Sequence, residues 1–309
     1  MSRIGVLGSS GGVGRCILAS LKTAGHETLA GVRRSPGPGQ VRVDEDLGAA
    51  LAGAVDVVID ASPSRADKST VAAILDAGTP VVGVGHALVG GRSLHVRCAG
   101  ALPGILTAAP LLLDHRGGGV EYHALLAGAL SRTSARDILE GARRSVGTEV
   151  QRDARMPGVD AEVDLVAFQD EDTRAVDALF GAPIRWLNAW AGRALREALF
   201  RAVGMDAEEA SASLAAASLR PVLEGGSEVI VHVAGAGERI LIEAPSIAGI
   251  CAWTAVACAV EAAADPGPAR STTAVELLGE RAGDHLKNIL TRAGARLLDD
   301  VEEQEEGEL

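Results

Sequence analysis

Residues 4–14, IGVLGSSGGVG, run from a short apolar segment straight into a loop of four glycines, two serines and one valine. Glycine in a turn supplies either a positive φ or room for something to approach the backbone. The apolar run 3–8 reads as a strand. VGRCILASLKTAG (13–25) reads as a helix, because Val13, Ile17 and Leu21 fall on one stripe and Gly25 sits at the C-terminal cap. The spacing Gly8, Gly11, Gly14 therefore lies in a strand-to-helix connection. In that setting the first glycine makes the turn, the second lets the backbone approach a diphosphate, and the third lets the helix pack close to the strand. The N-terminal amides of the helix then point at the anion. Gly8, Ser9, Ser10, Gly11, Gly12 and Val13 are accordingly read as a dinucleotide-binding loop, with the serines adding hydroxyl donors. The competing reading is a tight turn that only packing requires.

Moving outward, HETLAGVRR (26–34) and VRVDED (41–46) read as short strands, and EDLGAALAGA (45–54) as a small helix. DVVIDAS (56–62) is a continuous apolar run suited to a strand buried on both faces. SRADKSTVAAILDAG (64–78) is a helix with a glycine stop, and TPVVGVGH (79–86) and LHVRCAG (94–100) follow as strands. Such alternation predicts a doubly wound parallel sheet over residues 1–118. Beyond HRGGG the pattern changes. VEYHALLAG (120–128), EVQRDAR (149–155), EVDLVAF (162–168), SEVIVHVAG (227–235) and RILIEAP (239–245) read as strands, with helices near 133–146, 172–180, 191–203 and 206–219. This predicts a second α+β domain over 119–247 with a mainly antiparallel sheet and a hairpin near Gly235-Ala236-Gly237. Residues 248–298 read as C-terminal helices (248–264 and 284–297) that could return to the first domain, and 299–309 as a disordered acidic tail.

Composition removes several classes of function. The net charge is −12, and the tail carries seven acids and no base, so most of the excess is local. With aromatics at 2%, stacking platforms for bases are scarce, and no nucleic-acid partner is expected. Cys16, Cys98, Cys251 and Cys258 are scattered and form no ligand cluster, so no metal site is expected. The most apolar segment, 247–260, falls short of the roughly 18–20 residues of a membrane span and reads as a core helix with buried thiols. No leader pattern precedes the first strand, and the chain reads as cytoplasmic, with no membrane partner.

The second strand selects the cofactor. An NAD site commonly ends that strand in an acid that accepts from the ribose 2′-hydroxyl. Here it ends in Arg33-Arg34, and guanidinium groups can hold a 2′-phosphate bidentately, so NADPH/NADP is favoured over NADH. A solvated pair of arginines is the plain alternative. Asp44 either accepts a hydrogen bond from the adenine or is a surface carboxylate. Ligands of such sheets lie beyond the carboxyl ends of the strands. That points to Ala61, Ser62 and Pro63 after the fourth strand, Gly85 and His86 after the fifth, and Pro103 in the following loop. His86 is the imidazole among them whose titration range suits a general acid; otherwise it orients a loop or faces water. Arg132 and Thr133, in the Ser/Thr-rich turn 131–134, form either a substrate-carboxylate contact or an ordinary helix cap. His123 lies within an alternating strand and reads as structural. Asp160, Glu162 and Asp164 read as a solvated face, and no nucleophile elbow supports hydrolysis.

These residues resemble the saccharopine dehydrogenase-like reductases over most of the chain. The resemblance rests on GSSGGVG with the arginine-ended second strand, on VVIDASPSRADKSTVAAILDAGTPVVGVG (57–85), and on ALPGILTA (101–108). It extends to GALSRTSARDILEGARRSVG (128–147) and to the C-terminal PSIAGICAWTAVACAVEAA (245–263) with STTAVELLG (271–279). It implies a Rossmann domain built from both ends of the chain, around a central α/β domain whose sheet often helps form a homodimer. It also implies NADPH-dependent reduction of a small imine, or of a carbonyl or activated alkene, in amino-acid-derived or secondary metabolism. The hydride would pass at the interface of the two domains. Two departures concern the substrate: Ser64 follows Pro63 where an aromatic is common, and His86 stands where an Asp is frequent. A non-catalytic NADP-binding redox sensor or scaffold is the alternative.

Overall fold

The computed structural model describes residues 1–32, 37–42, 50–51, 53–62, 68–85, 87–127, 130–132, 134–136, 138–139, 150–191, 193–218, 227–235 and 237–299. The chain divides into two compact units, Met1–Ala108 with Ala248–Ile289, and Ala109–Ile247 with the residues from Leu290 on.

In the first unit, β1 (Arg3–Leu7) leads into α1 (Gly12–Thr23), followed by β2 (Glu27–Val32), β3 (Gln40–Arg42) and β4 (Val57–Asp60). Then come α2 (Lys68–Asp76), β5 (Val81–Gly83), β6 (His95–Arg97) and a 3₁₀ helix, Ile105–Leu112. Val57, Val58 and Ile59 are wholly buried, as a central strand covered on both faces requires. In α2, Val71, Ile74 and Leu75 share one face and pack with Leu7, Val58 and Val81 beneath the sheet. Gly78, at φ +88°, carries the chain out of that helix. Every strand pair in this sheet is parallel. The order β3-β2-β1-β4-β5-β6 is the doubly wound dinucleotide-binding order, and the sheet matches the predicted fold class.

A seventh strand, β13 (Ser271–Thr273), pairs with β6 and comes from the far end of the chain. The resemblance places STTAVELLG among closing helices. Only AVELL forms one (α7, Ala274–Leu278), because Thr273 caps it reciprocally with Glu276 and stays extended itself. Before it, α6 (Ile247–Ala264) runs for 18 residues over the expected helix at 248–264, and it is apolar enough by length and composition to cross a membrane. Half of it is buried, Ile250, Cys251, Ala255 and Cys258 among them. Burial pushes the Cys251 thiol up to about 11. α8 (Ala282–Ala293) ends this part of the chain.

The second unit contains β7 (Glu121–Leu126), β8 (Val150–Ala154), β9 (Val163–Ala167), α3 (Glu171–Phe180), β10 (Arg185–Ala191), α4 (Arg193–Val203) and α5 (Ala207–Ser218). It continues with β11 (Val229–Gly235), β12 (Glu238–Ala244) and β14 (Arg296–Asp299). The sheet order is β14-β12-β11-β7-β10-β9-β8, antiparallel except where β10 runs parallel to β7. The expected hairpin forms between β11 and β12, with Gly235 opposite Glu238 and Gly237 at φ +84°.

Between the expected helices, RWLNAWA forms the strand β10; Trp186 packs on Tyr122 at 4.8 Å, and its indole N–H donates to Asp177. Two expectations are corrected in this unit. The helix expected over 284–297 stops at Ala293 because Gly294 takes φ +70°, and Arg296–Asp299 turns into β14 with Leu297 opposite Ile242. Asp299, assigned to the tail, therefore belongs to the sheet, while 300–309 lie outside the described residues, as do most of the expected helices at 45–54 and 133–146. Finally, Asp164 is not solvated: it is 5% exposed, and its carboxylate accepts the Asp153 amide.

Candidate functional site

At the carboxyl end of β1 the chain turns at Gly8, with φ +70°. A Cβ there would lie 2.6 Å from the Ala61 carbonyl and 2.7 Å from the Ser62 nitrogen. A Cβ on Gly14 would lie 2.2 Å from the Gly8 carbonyl oxygen. Both glycines are thus demanded by the protein itself, one by the neighbouring strand end and one by helix-on-loop packing. Gly11 and Gly12 are different. Gly11 has ordinary extended backbone, φ −71°, and its added Cβ would meet only the Gly8 oxygen at 3.3 Å. Outside its chain neighbours and the helix's own backbone, no described atom lies within 4 Å of a Cβ added at Gly12. Nothing among the described residues requires Gly12 to be bare, and at Gly11 the Gly8 carbonyl would have to give by only a few tenths of an ångström.

The backbone here presents donors and hides acceptors. Gly11 N–H donates to the Gly8 carbonyl at 3.0 Å, and Arg15 N–H donates to the Gly11 carbonyl at 3.0 Å. No side chain caps α1, so the first-turn amides of Gly12, Val13 and Gly14, which have no intrahelical acceptor, remain available to an anion. These features fit a diphosphate: first-turn amides without an intrahelical acceptor, a dipole of the right sign and, at exposed Gly12, no Cβ in the way.

The two serines part company. Ser9 is buried, and its hydroxyl donates to the Gly31 carbonyl at 2.9 Å, so its proton ties the loop to β2 instead of serving as a donor within the loop. Ser10 is exposed, and its carbonyl accepts from the Arg15 guanidinium. Arg15 was missed by sequence reasoning. The signal available was its place directly after the third glycine, next to a helical first turn that holds no acid.

Other predicted residues gather at the same end of the parallel strands. Asp60, also missed, ends β4 and accepts from both the amide and the hydroxyl of Ser62. That engages the Ser62 hydroxyl and fixes the turn that places Ala61 and Ser62 against Gly8. After β5, the Gly85 carbonyl accepts from the Cys98 amide at 2.9 Å. Pro103 is exposed and follows a cis Leu102–Pro103 bond. Next to it Gly104 takes φ +135°, where a Cβ would lie 2.3 Å from the Gly100 oxygen. Arg33, Arg34, Asp44, Pro63, His86 and Thr133 lie outside the described residues. Arg132 belongs to the second unit and is exposed, with the neighbouring Ser131 hydroxyl accepting the Ser134 amide as a cap does. Among the described residues no group of three or more potential metal ligands comes together.

His123 proves to be half of a pair. It faces His232 across β7 and β11, ring centroids 5.6 Å apart, both nine-tenths buried. Burial lowers both imidazoles; His123 and Arg239 lower His232 further, to about 4, with Glu121 opposing in each case and Arg185 adding to the lowering at His123. A histidine whose folded pKa lies below its unfolded value of about 6.5 binds fewer protons folded than unfolded, so stability is lost as pH falls from about 6.5 toward the folded pKa. Replacing His232 by Leu is therefore expected to flatten the fall in unfolding free energy between pH 6.5 and 4 by on the order of 1–3 kcal/mol. Urea titrations at several pH values check this, and an unchanged slope rejects it.

No protein-family model matches the chain, and no curated protein sequence does. Among solved structures, saccharopine dehydrogenase (L-Glu forming) from Saccharomyces cerevisiae is similar with a TM-score of 0.58 at 13% identity, covering 97% of this chain and 99% of that one. An engineered D-amino acid dehydrogenase bound to NADP+ matches with a TM-score of 0.46 at 15% identity, over 89% and 93% of the two chains. Dihydrodipicolinate reductase from Paenisporosarcina sp. TG-14, with dipicolinate bound, matches with a TM-score of 0.43 at 13% identity, over 89% and 98%. The likeness is one of fold, and the fold is of the saccharopine dehydrogenase type.

Proposed function

We propose that this chain is an NADPH-dependent oxidoreductase that reduces a small imine, or a carbonyl or activated alkene, of amino-acid-derived or secondary metabolism. One observation carries the cofactor reading. Gly8 and Gly14 are bare because the protein leaves no room for a Cβ, whereas among the described residues Gly12 is bare with no such cause and Gly11 with only mild crowding against the Gly8 carbonyl, at the open N-terminus of α1. A ligand that lies against the backbone explains that difference, and the dipole selects an anion.

In this reading the amides of Gly12, Val13 and Gly14 hold the diphosphate, and Arg33 with Arg34, next after β2, hold the 2′-phosphate. The bound nucleotide supplies the hydride. The loops after β4, β5 and β6 end on the side of the sheet where ligands of this fold lie, and they border the reacting end. Their work is orientation and exclusion of water, and His86 is the group to deliver a proton to the nitrogen or oxygen left behind.

Calorimetric titration with both reduced nucleotides is the first test. NADPH is expected to bind about 10- to 150-fold more tightly than NADH, the span of one charged hydrogen bond of roughly 1.5–3 kcal/mol. Equal affinities reject the assignment of Arg33 and Arg34, and absence of binding by either nucleotide rejects the function. NADPH oxidation in the presence of small imines, carbonyls and activated alkenes then tests the reaction class.

A further inference from the structure

We infer that Arg15 is a binding residue for the diphosphate of the nucleotide, completing with its guanidinium the anion site that the first-turn amides of α1 begin. The inference rests on the proposed cofactor site and adds to it a residue that the glycine spacing does not include.

Two observations carry it. The first is geometry. Arg15 reaches back along the loop, and one terminal nitrogen donates to the Ser10 carbonyl. Guanidinium has five N–H donors in a fixed fork, so the remaining donors stay available beside the loop, and the side chain is exposed. The same contact engages an acceptor that would otherwise repel an anion. With the Gly8 and Gly11 carbonyls already taken by backbone amides, three of the four carbonyls of residues 8–11 are engaged within the loop and helix start.

The second is electrostatic and independent of that contact. The positive end of the α1 dipole favours a carboxylate in the first turn and disfavours a cation. This first turn holds no acid, and the residue that follows it is an arginine. In the free protein that charge works against the helix. An anion bound by the same turn reverses the sign, because dipole, amides and guanidinium then all attract it.

The two roles open to Arg15, anion binding and loop packing, give opposite signatures in Arg15→Gln. That substitution removes the charge and keeps a side-chain N–H donor. The full chain is titrated with NADP+ and NAD+, and its melting temperature is read without nucleotide. The inference predicts at least a tenfold loss of affinity for both nucleotides, since both carry the diphosphate, with a melting temperature equal to or above that of the parent. Arg15→Lys, which keeps the charge, should lose less affinity than Arg15→Gln. A lower melting temperature with unchanged affinity overturns the inference in favour of a packing role. Loss confined to NADP+ overturns it in favour of 2′-phosphate recognition. Failure of the parent protein to bind either nucleotide removes the cofactor site itself, and this inference with it, whereas normal binding by both parent and Arg15→Gln rejects the inference alone.

Discussion

Gly8→Ala is expected to destabilise the protein by about 2–5 kcal/mol. A left-handed backbone costs an L-residue roughly 1–2 kcal/mol, and forcing a methyl group into packed structure costs roughly 1–3 kcal/mol more. Both terms apply here, because Gly8 has φ +70° and its Cβ would sit 2.6 Å from the Ala61 carbonyl. Backbone atoms on the opposing side cannot rotate away as a side chain tip can. Gly25 separates the two terms: its φ is +78°, but nothing lies within 4 Å of an added Cβ. Gly25→Ala should cost only the strain, about 1–2 kcal/mol. Urea unfolding of the two variants checks the difference. Equal costs would show that the loop 61–62 yields to Gly8, and that the turn is less tightly held than its hydrogen bonds to Asp60 imply.

The second large effect concerns binding. Gly11→Ala and Gly12→Ala are expected to lower NADPH affinity at least tenfold, about 1.4 kcal/mol, with little loss of stability. Gly11 is the N-cap of α1, a position where glycine is somewhat better than alanine, so a cost of up to about 1 kcal/mol is expected there. Gly12 is the first helical residue and faces open space, so alanine should be neutral or mildly stabilising. In the proposed site the new methyl group of either variant would stand where the diphosphate approaches the backbone. A packing turn would show the reverse pattern, stability falling with affinity intact. Calorimetry and thermal unfolding on the same two proteins decide it, and full NADPH affinity in stably folded Gly11→Ala and Gly12→Ala would falsify the phosphate site.

The contrast between Gly8 and Gly12 shows how far one-dimensional spacing reaches. Gly8, Gly11, Gly14 could be read as a phosphate loop because every relation it depends on is local: strand, turn and helix start lie within a dozen residues, and glycine's permissiveness belongs to the residue itself. The buried strand β4 and the helix α2 were legible for the same reason, a run of apolar residues or a repeat of 3.6 being a property of adjacent positions.

What tertiary structure decided lies in partners far apart along the chain. Ser9 could serve a phosphate or the protein, and the Gly31 carbonyl, 22 residues on, takes its proton. Arg185–Ala191 carries tryptophans and an asparagine that fit helix or strand, and it becomes β10 because β7 and β9 offer ladders on either side. Three residues, Ser271–Thr273, have no period long enough to read, and only the edge of β6, some 175 residues earlier in the chain, makes them a strand. Leu297 follows a helical pattern past the point where the helix stops, because Gly294 turns the chain and Ile242 supplies a neighbour. Local sequence sets what each segment can be at a cost of tenths of a kcal/mol per residue. Burial and pairing against a distant partner are worth kcal/mol each, and where the two disagree the distant partner prevails.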